Sequence, residues 1–192
     1  AITRIGAWGL SVNIDERVYN EENAAYVDST FTDIFTLNFV EGSQEKHLNR
    51  PYQVIMDQST ANKYFGEESA LGKVIMLNDT IPYTVTGVYE ALPSQSHFHL
   101  NLLISMVSIP DAANGQEWFA NNYATYMRLE PGSSAEELEA KLPEFVDKYM
   151  FQGNYGEFED GDNFWVLYLQ HIRDIHLGSD VNGEFEPNGN LA

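Results

Sequence analysis

Two histidines two residues apart, His97 and His99, are the first pair in the chain whose types and spacing could do chemistry. On a strand that spacing points both imidazoles the same way, an arrangement a metal could use. The competing expectation is that Pro93 to Leu100 is a turn entering a strand, with the histidines solvated or bonded to backbone. His171 and His176 are five apart and lack an obvious third ligand. The run Glu157, Glu159, Asp160, Asp162 and Asn163 resembles a hard-cation loop. Taking Asp160 as position 1 of an EF-hand loop, however, puts Phe164 at position 5 and Trp165 at 6, where an oxygen ligand and a glycine are required. Asp180, Asn182 and Gly183 fail similarly, with glycine at position 4. The 29 acidic residues offer many carboxylate pairs for glycosidase work, yet no local pattern selects one. Trp8, Trp118 and Trp165 could form a sugar-stacking platform, but isolated aromatics are more often core or rim residues. No residue is therefore assigned as catalytic, cofactor-binding or metal-ligating; no cofactor is expected, and the chain is not expected to be an enzyme.

Larger signatures are missing as well. There is no G-x-S-x-G elbow, H-E-x-x-H, P-loop or G-x-G-x-x-G, so ATP hydrolysis by the usual route is excluded for these residues. With no cysteine, disulfide frameworks, cysteine zinc sites and thiol catalysis drop out. Ten Lys plus Arg against 29 Asp plus Glu leave a net charge of −19. That balance argues against nucleic acid, which requires basic groups to displace counterions, and against adhesion to anionic lipid. The 192 residues are 43% hydrophobic, with 11 Phe, 11 Tyr and 3 Trp, enough for a core in one domain or two small ones. No stretch approaches the ~18 apolar residues of a membrane helix. The start at Ala1 reads as that of an excised fragment.

Several elements must position these residues. Ala24 to Ser29 reads as a strand, Phe31 to Phe39 as a turn-rich apolar plug and Glu41 to Arg50 as an exposed loop. Gln53 to Met56 is a short strand, followed by a two-turn helix capped by Ser59 and ended at Gly66. Lys73 to Leu77 and Ile81 to Glu90 form a hairpin across Asn78-Asp79. In it Ile81, Tyr83, Val85 and Tyr89 share one face, with Thr84, Thr86 and Val88 on the other. Leu100 to Met106 and Tyr123 to Leu129 are strands. Ser133 and Glu136 form a capping box for a helix striped by Leu138, Leu142, Phe145 and Tyr149, which Pro143 should kink or break near Leu142. Phe164 to Gln170 is an apolar strand, giving a β-α-β unit with Tyr123 to Leu129 and the helix.

The segment Val54-Ile-Met-Asp57, Ser59-x-Ala61-x-x-Tyr64-Phe65-Gly66, Leu71-Gly72-Lys73, Ile75-x-Leu77 and Tyr83-x-Val85-x-Gly87-Val88 resembles the MacB-like periplasmic core domain of ABC transporter permeases of the MacB, FtsX and LolC/LolE group. Upstream, Ala25-Tyr-Val-Asp28-Ser29, Phe31-x-Asp33-Ile-Phe35-x-Leu37 and Glu41-Gly42 are similar to that family's opening segment. Leu92-Pro93-Ser94-x-Ser96-His97-Phe98, Asp174-Ile-His176-Leu177 and Asn188-Gly189-Asn190 extend the likeness, which covers most of residues 24–192. Ala70 stands where the family often has proline.

The resemblance implies an α+β fold with mixed sheets. Residues 1–192 would be a single extracytoplasmic domain, with a porter-like β-α-β half (1–40 plus 96–192) and a smaller β-rich Sabre-like subdomain (41–95). It implies a non-catalytic domain of a transport permease in a bacterial inner membrane, lying on the periplasmic side. That domain would transmit ATP-driven membrane-helix motion to a periplasmic partner or exported substrate. Implied partners are a separate ATP-binding subunit and a second permease subunit. The alternative is a secreted acidic carbohydrate- or peptide-binding module. Further expectations are a monomer or weak dimer for the isolated chain, and termini that leave by one face.

Overall fold

The computed structural model describes residues 1–43, 47–110, 122–154, 166–175 and 185–186. Its framework begins with β1 (Ile2–Ala7), β2 (Leu10–Ile14), β3 (Arg17–Glu21) and β4 (Ala24–Val27). β1 pairs antiparallel with β4 and β2 with β3, so residues 2–27 are one long hairpin. It is bent at Trp8-Gly9 on one arm and at Glu22-Asn23 on the other, and the Trp8 N–H donates to the Ala24 carbonyl across the bend at 3.2 Å.

The bend lets one hairpin serve both ends of a sheet. Its base binds β10 (Ala124–Met127) through β1, and β9 (Leu102–Ser105) in parallel through β4. Its tip binds β7 (Val74–Leu77) through β2, at Val12↔Leu77 and Asn13↔Met76. Between them lie β6 (Gln53–Asp57), antiparallel to β9, and β8 (Ile81–Tyr89), parallel to β6 and antiparallel to β7. The strand order is β10-β1-β4-β9-β6-β8-β7-β2-β3, and β5 (Phe39–Gly42) pairs with β8. Because β1–β4 and β2–β3 are two halves of one hairpin, the sheet must curl around its inner face. There Val12, Ala24, Val54, Met56, Ile75, Leu77, Tyr83, Val85, Leu102 and Ile104 form the core. β5 to β8, all drawn from residues 39–89, hydrogen-bond into the same sheet as β4 and β9. The backbone groups into one unit of Ala1–Gly115 with Asn122–Arg128, and a second of Gln116–Asn121 with Leu129–Ala192.

The hairpin of β7 and β8 forms as its sequence demands. Asn78 and Asp79 sit at φ 48° and 66°, values that asparagine and aspartate tolerate best after glycine. The face assignment on β8 changes midway. Val54 pairs with Val85 but Ile55 with Gly87, so Thr86 is bulged out of register. Beyond the bulge the alternation inverts: Val88 joins Tyr83 and Val85 in their core cluster, and Tyr89, itself fully buried, is not on that face as expected. Gly87 is covered by the Phe39 ring of β5: a Cβ there would lie 2.7 Å from Phe39 Cε1 and 3.3 Å from Ile55 Cγ2.

Helix α2 (Gln58–Phe65) is capped by Asp57, whose carboxylate accepts from the Thr60 N–H at 2.7 Å and the Ser59 hydroxyl at 3.0 Å. The cap therefore lies two residues before the expected Ser59, which serves the cap rather than forming it; Gly66, at φ +66°, ends the helix as expected. The short helix α1 (Phe31–Ile34) buries Phe31. Phe35 packs edge-on against Phe98 and Tyr126, each at 5.1 Å, so this segment is the apolar plug its composition suggests. The loop expected to be exposed differs, since His47 and Leu48 are 4% and 1% exposed.

In the second unit, α3 (Ala135–Glu139) and α4 (Leu142–Met150) are separated at Ala140-Lys141, and Pro143 stands in the first turn of α4. Proline is favoured there because those N–H groups have no intrahelical partner. The capping serine is Ser134, accepting from the Glu137 N–H at 3.2 Å, one residue later than expected. α4 buries Val146 and Met150, while Phe145 and Tyr149 of the expected stripe stay partly exposed and stack at 4.8 Å. Residues 166–170 form no strand, so the β-α-β unit is not completed among the described residues. The Leu169 N–H instead donates to Glu139 at 3.0 Å. Ala192, and with it the expected common exit of the termini, lies outside the described residues.

Candidate functional site

His97 and His99 do not converge on a metal position. His97 Nε2 lies 2.9 Å from the Tyr126 hydroxyl, and its ring stands edge-on to Phe98 at 4.5 Å. His99 Nε2 donates to the Pro93 carbonyl at 3.1 Å. Both precede β9 in a segment of turns and bends. His171 Nδ1 accepts from the Arg173 N–H at 3.2 Å and caps the short 3-10 turn Ile172–Asp174. Trp8, 39% exposed, packs on Tyr26 and Tyr123 at 5.6 and 5.8 Å. His176, Trp118, Trp165, Glu157 to Asn163 and Asp180 to Gly183 lie outside the described residues. Among the described residues, no three His, Asp or Glu side chains group to hold a metal, and no helix is long and apolar enough to cross a membrane.

A buried polar cluster forms where the bent hairpin meets α2. Glu21, 4% exposed at the end of β3, accepts from the Tyr64 hydroxyl at 2.6 Å, from Lys63 Nζ at 2.6 Å and from Asn101 Nδ2 at 3.1 Å. Burial first, then the adjoining carboxylate, pushes the Tyr64 phenol far above its ordinary range, so it remains a donor. Lys63 also lies over the Tyr19 ring at 5.2 Å, and Tyr19 stacks on Tyr64 at 4.8 Å. A buried carboxylate survives only when its lone pairs are met. Here three donors from α2 and the start of β9 meet them, and α2 is thereby locked across the end of β3. Neither Glu21 nor Asn101 carries a local signal; the partners of Glu21 are 42 to 80 residues away.

Beside this lock, a groove of about 590 Å³ runs between the β2–β3 turn and the C-terminal end of α2. Ile14, Phe65 and Val74 supply apolar surface, with Asp15, Arg17, Glu68 and Lys73 around them. Arg17 donates to the Tyr64 carbonyl at 3.2 Å. Lys73 pairs with Glu68, holding that carboxyl below its usual range, and lies over Phe65 at 4.7 Å. These charges are matched, and no nucleophile stands against a base. The groove offers shape, hydrogen bonds and apolar contact.

The profile described as MacB-like periplasmic core domain matches residues 2–145, and the chain belongs to that family. A domain of a putative permease protein from Porphyromonas gingivalis is 25% identical, with a TM-score of 0.66 over 78% of this chain and 70% of that one. The periplasmic region of MacB from Actinobacillus actinomycetemcomitans is similar in fold at 14% identity, with a TM-score of 0.57 over 85% of this chain and 77% of that one. The extracellular domain of the noncanonic ABC-type transporter YknZ from Gram-positive bacteria is similar at 15% identity, with a TM-score of 0.54 over 81% and 75% of the two chains. No curated protein sequence matches the chain. The residues quoted above from Val54 to Val88 fall inside the matched span, so the resemblance drawn from them is the correct one.

Proposed function

We propose that this domain transmits motion on the extracytoplasmic side of an ABC transporter permease and makes no covalent chemistry of its own. The match to the family over residues 2–145 carries the proposal. In this reading, ATP bound by a separate subunit moves the membrane helices, and the domain passes that displacement to a periplasmic partner or exported substrate. A second permease subunit completes the assembly in the inner membrane. The porter-like and Sabre-like labels come from the family resemblance and remain part of this proposal.

The construction of the sheet supports a mechanical role. β1 pairs with β10 over Ile2 to Ile5 and with β4 over Ile5 to Ala7, so a pull along it is resisted by one ladder or the other over its whole length. Arg4 reinforces the second ladder, donating from Nε and Nη2 to the Asp28 carboxylate at 2.9 and 2.8 Å, while its backbone N–H reaches the same carboxylate at 2.8 Å. The bend carries the hairpin onward to β7, so the same two chain segments pair both at its base and at its tip.

The experiment is removal of the domain from the full-length permease, reconstituted with its ATP-binding subunit. ATP hydrolysis is expected to persist while transport is lost. Transport that survives the deletion would contradict the proposal.

A further inference from the structure

Residues 47–52 contain the most strained backbone among the described residues. Leu48 and Tyr52 sit at φ 58° and 61°, a region that bulky L-residues rarely enter and occupy only when their surroundings force them to. The forcing contacts are visible. Leu48 is 1% exposed. The Arg50 carbonyl accepts from the Ser105 hydroxyl at 2.7 Å, and the Arg50 N–H donates to the Gln53 side chain at 3.0 Å. The Tyr52 N–H donates to Ser108 Oγ at 2.9 Å, its carbonyl accepts from the Thr84 N–H at 2.9 Å, and its ring meets Tyr83 edge-on at 5.6 Å. The segment is thus tied down over the ends of β6, β8 and β9.

One of its pins is titratable. The His47 ring is buried, stacked on Phe39 of β5 at 4.7 Å, with Nδ1 donating to the Ser43 carbonyl at 3.0 Å. Charged groups on the neighbouring elements are engaged elsewhere or point to solvent. Glu41 of β5 accepts from the Ser69 hydroxyl and the Leu71 N–H, and Arg50 is exposed. None forms an ion pair with the imidazole among the described residues, and the ring's burial against Phe39 opposes its charging.

We infer that residues 47–52 are a strained strap held closed by neutral His47, and that acidification of the extracytoplasmic space releases it. Burial lowers the His47 pKa, and the bond to Ser43 only partly opposes this. With a depressed pKa in the closed strap, the open form binds more protons as pH falls below the ordinary histidine value of ~6.5. Closure is therefore fully favoured above that value and weakens as pH drops towards the depressed one. Strain at Leu48 and Tyr52 acts in the same direction, because opening relieves it.

The test is amide hydrogen exchange of the 192-residue chain between pH 7.5 and 5, corrected for intrinsic rates. The amides of Tyr52 and Thr84 report the strap, and that of Gly66, bonded to Asn62, reports α2. Strap protection should fall severalfold at pH 5 while Gly66 is unchanged, and His47→Gln, which cannot charge, should abolish the pH dependence. Tyr52→Asn, better suited to the left-handed region, should raise protection at both pH values by relieving strain of order 1 kcal/mol, roughly fivefold. Protection that does not change with pH, that changes equally in His47→Gln, or that falls together at Gly66 would overturn the inference.

Discussion

Gly87 lies directly under the Phe39 ring, and the sheet has no room for a side chain there. With a Cβ only 2.7 Å from Phe39 Cε1, Gly87→Ala must push the ring or β5 away. The expected loss is about 1–3 kcal/mol, the usual range for overpacking, measured by urea unfolding against wild type. Tyr64→Phe is the matching test of the polar lock. It removes the 2.6 Å bond to Glu21 without changing shape, and a hydrogen bond to a charged group contributes about 1.5–3 kcal/mol. If Glu21→Gln is made first, the same Tyr64→Phe change should cost visibly less. Residue roles set by local backbone were legible in the sequence: Asn78-Asp79 as a turn and Gly66 as a helix end. Glu21 was not, because what makes it important is convergence from α2 and β9, which no local spacing records. His47 stayed hidden for the same reason, as its burial depends on Phe39 and on β5 pairing with β8.

At the level of elements, the weld between β1 and β4 is the most exposed to test. Asp28 holds both the guanidinium and the backbone N–H of Arg4, and the pairing raises the Arg4 pKa above its already high ordinary value. Asp28→Ala should lower stability by about 1–2 kcal/mol, discounted because both side chains are partly exposed. Exchange protection should fall first at β1 amides rather than in β8. Elements defined by periodicity and punctuation were readable: the β7–β8 hairpin, α2, and the break before Pro143. Two others misled. The apolar run 164–170 reads as a strand, but a short apolar run does not identify its own partner, and its described part forms none. The faces of β8 were read as one alternation because the Thr86 bulge arises from pairing with β6, not from β8 itself.

Across the whole molecule, a charge of −19 makes self-repulsion a global term opposing compaction and self-association. Raising ionic strength from ~10 to ~150 mM shortens the screening length from about 30 to 8 Å, so the melting temperature should rise over that interval. A melting temperature that falls would mean attractive pairs such as Arg4–Asp28 outweigh the repulsion. The family was legible from the residues between Val54 and Val88, whereas the curl of the sheet was not, since it follows from one bent hairpin meeting β9 at its base and β7 at its tip. The proposed transmission predicts that the unit holding residues 1–115 moves as one body when the permease binds ATP. The chain has no cysteine, so spin labels can be placed at the exposed Glu67→Cys and Val107→Cys positions of the assembled transporter. On adding a non-hydrolysable ATP analogue, the distance from Glu67 to a label on the second permease subunit should shift while the Glu67–Val107 distance within this domain holds constant. An unchanged distance between subunits, or a change confined to Glu67–Val107, would contradict the account.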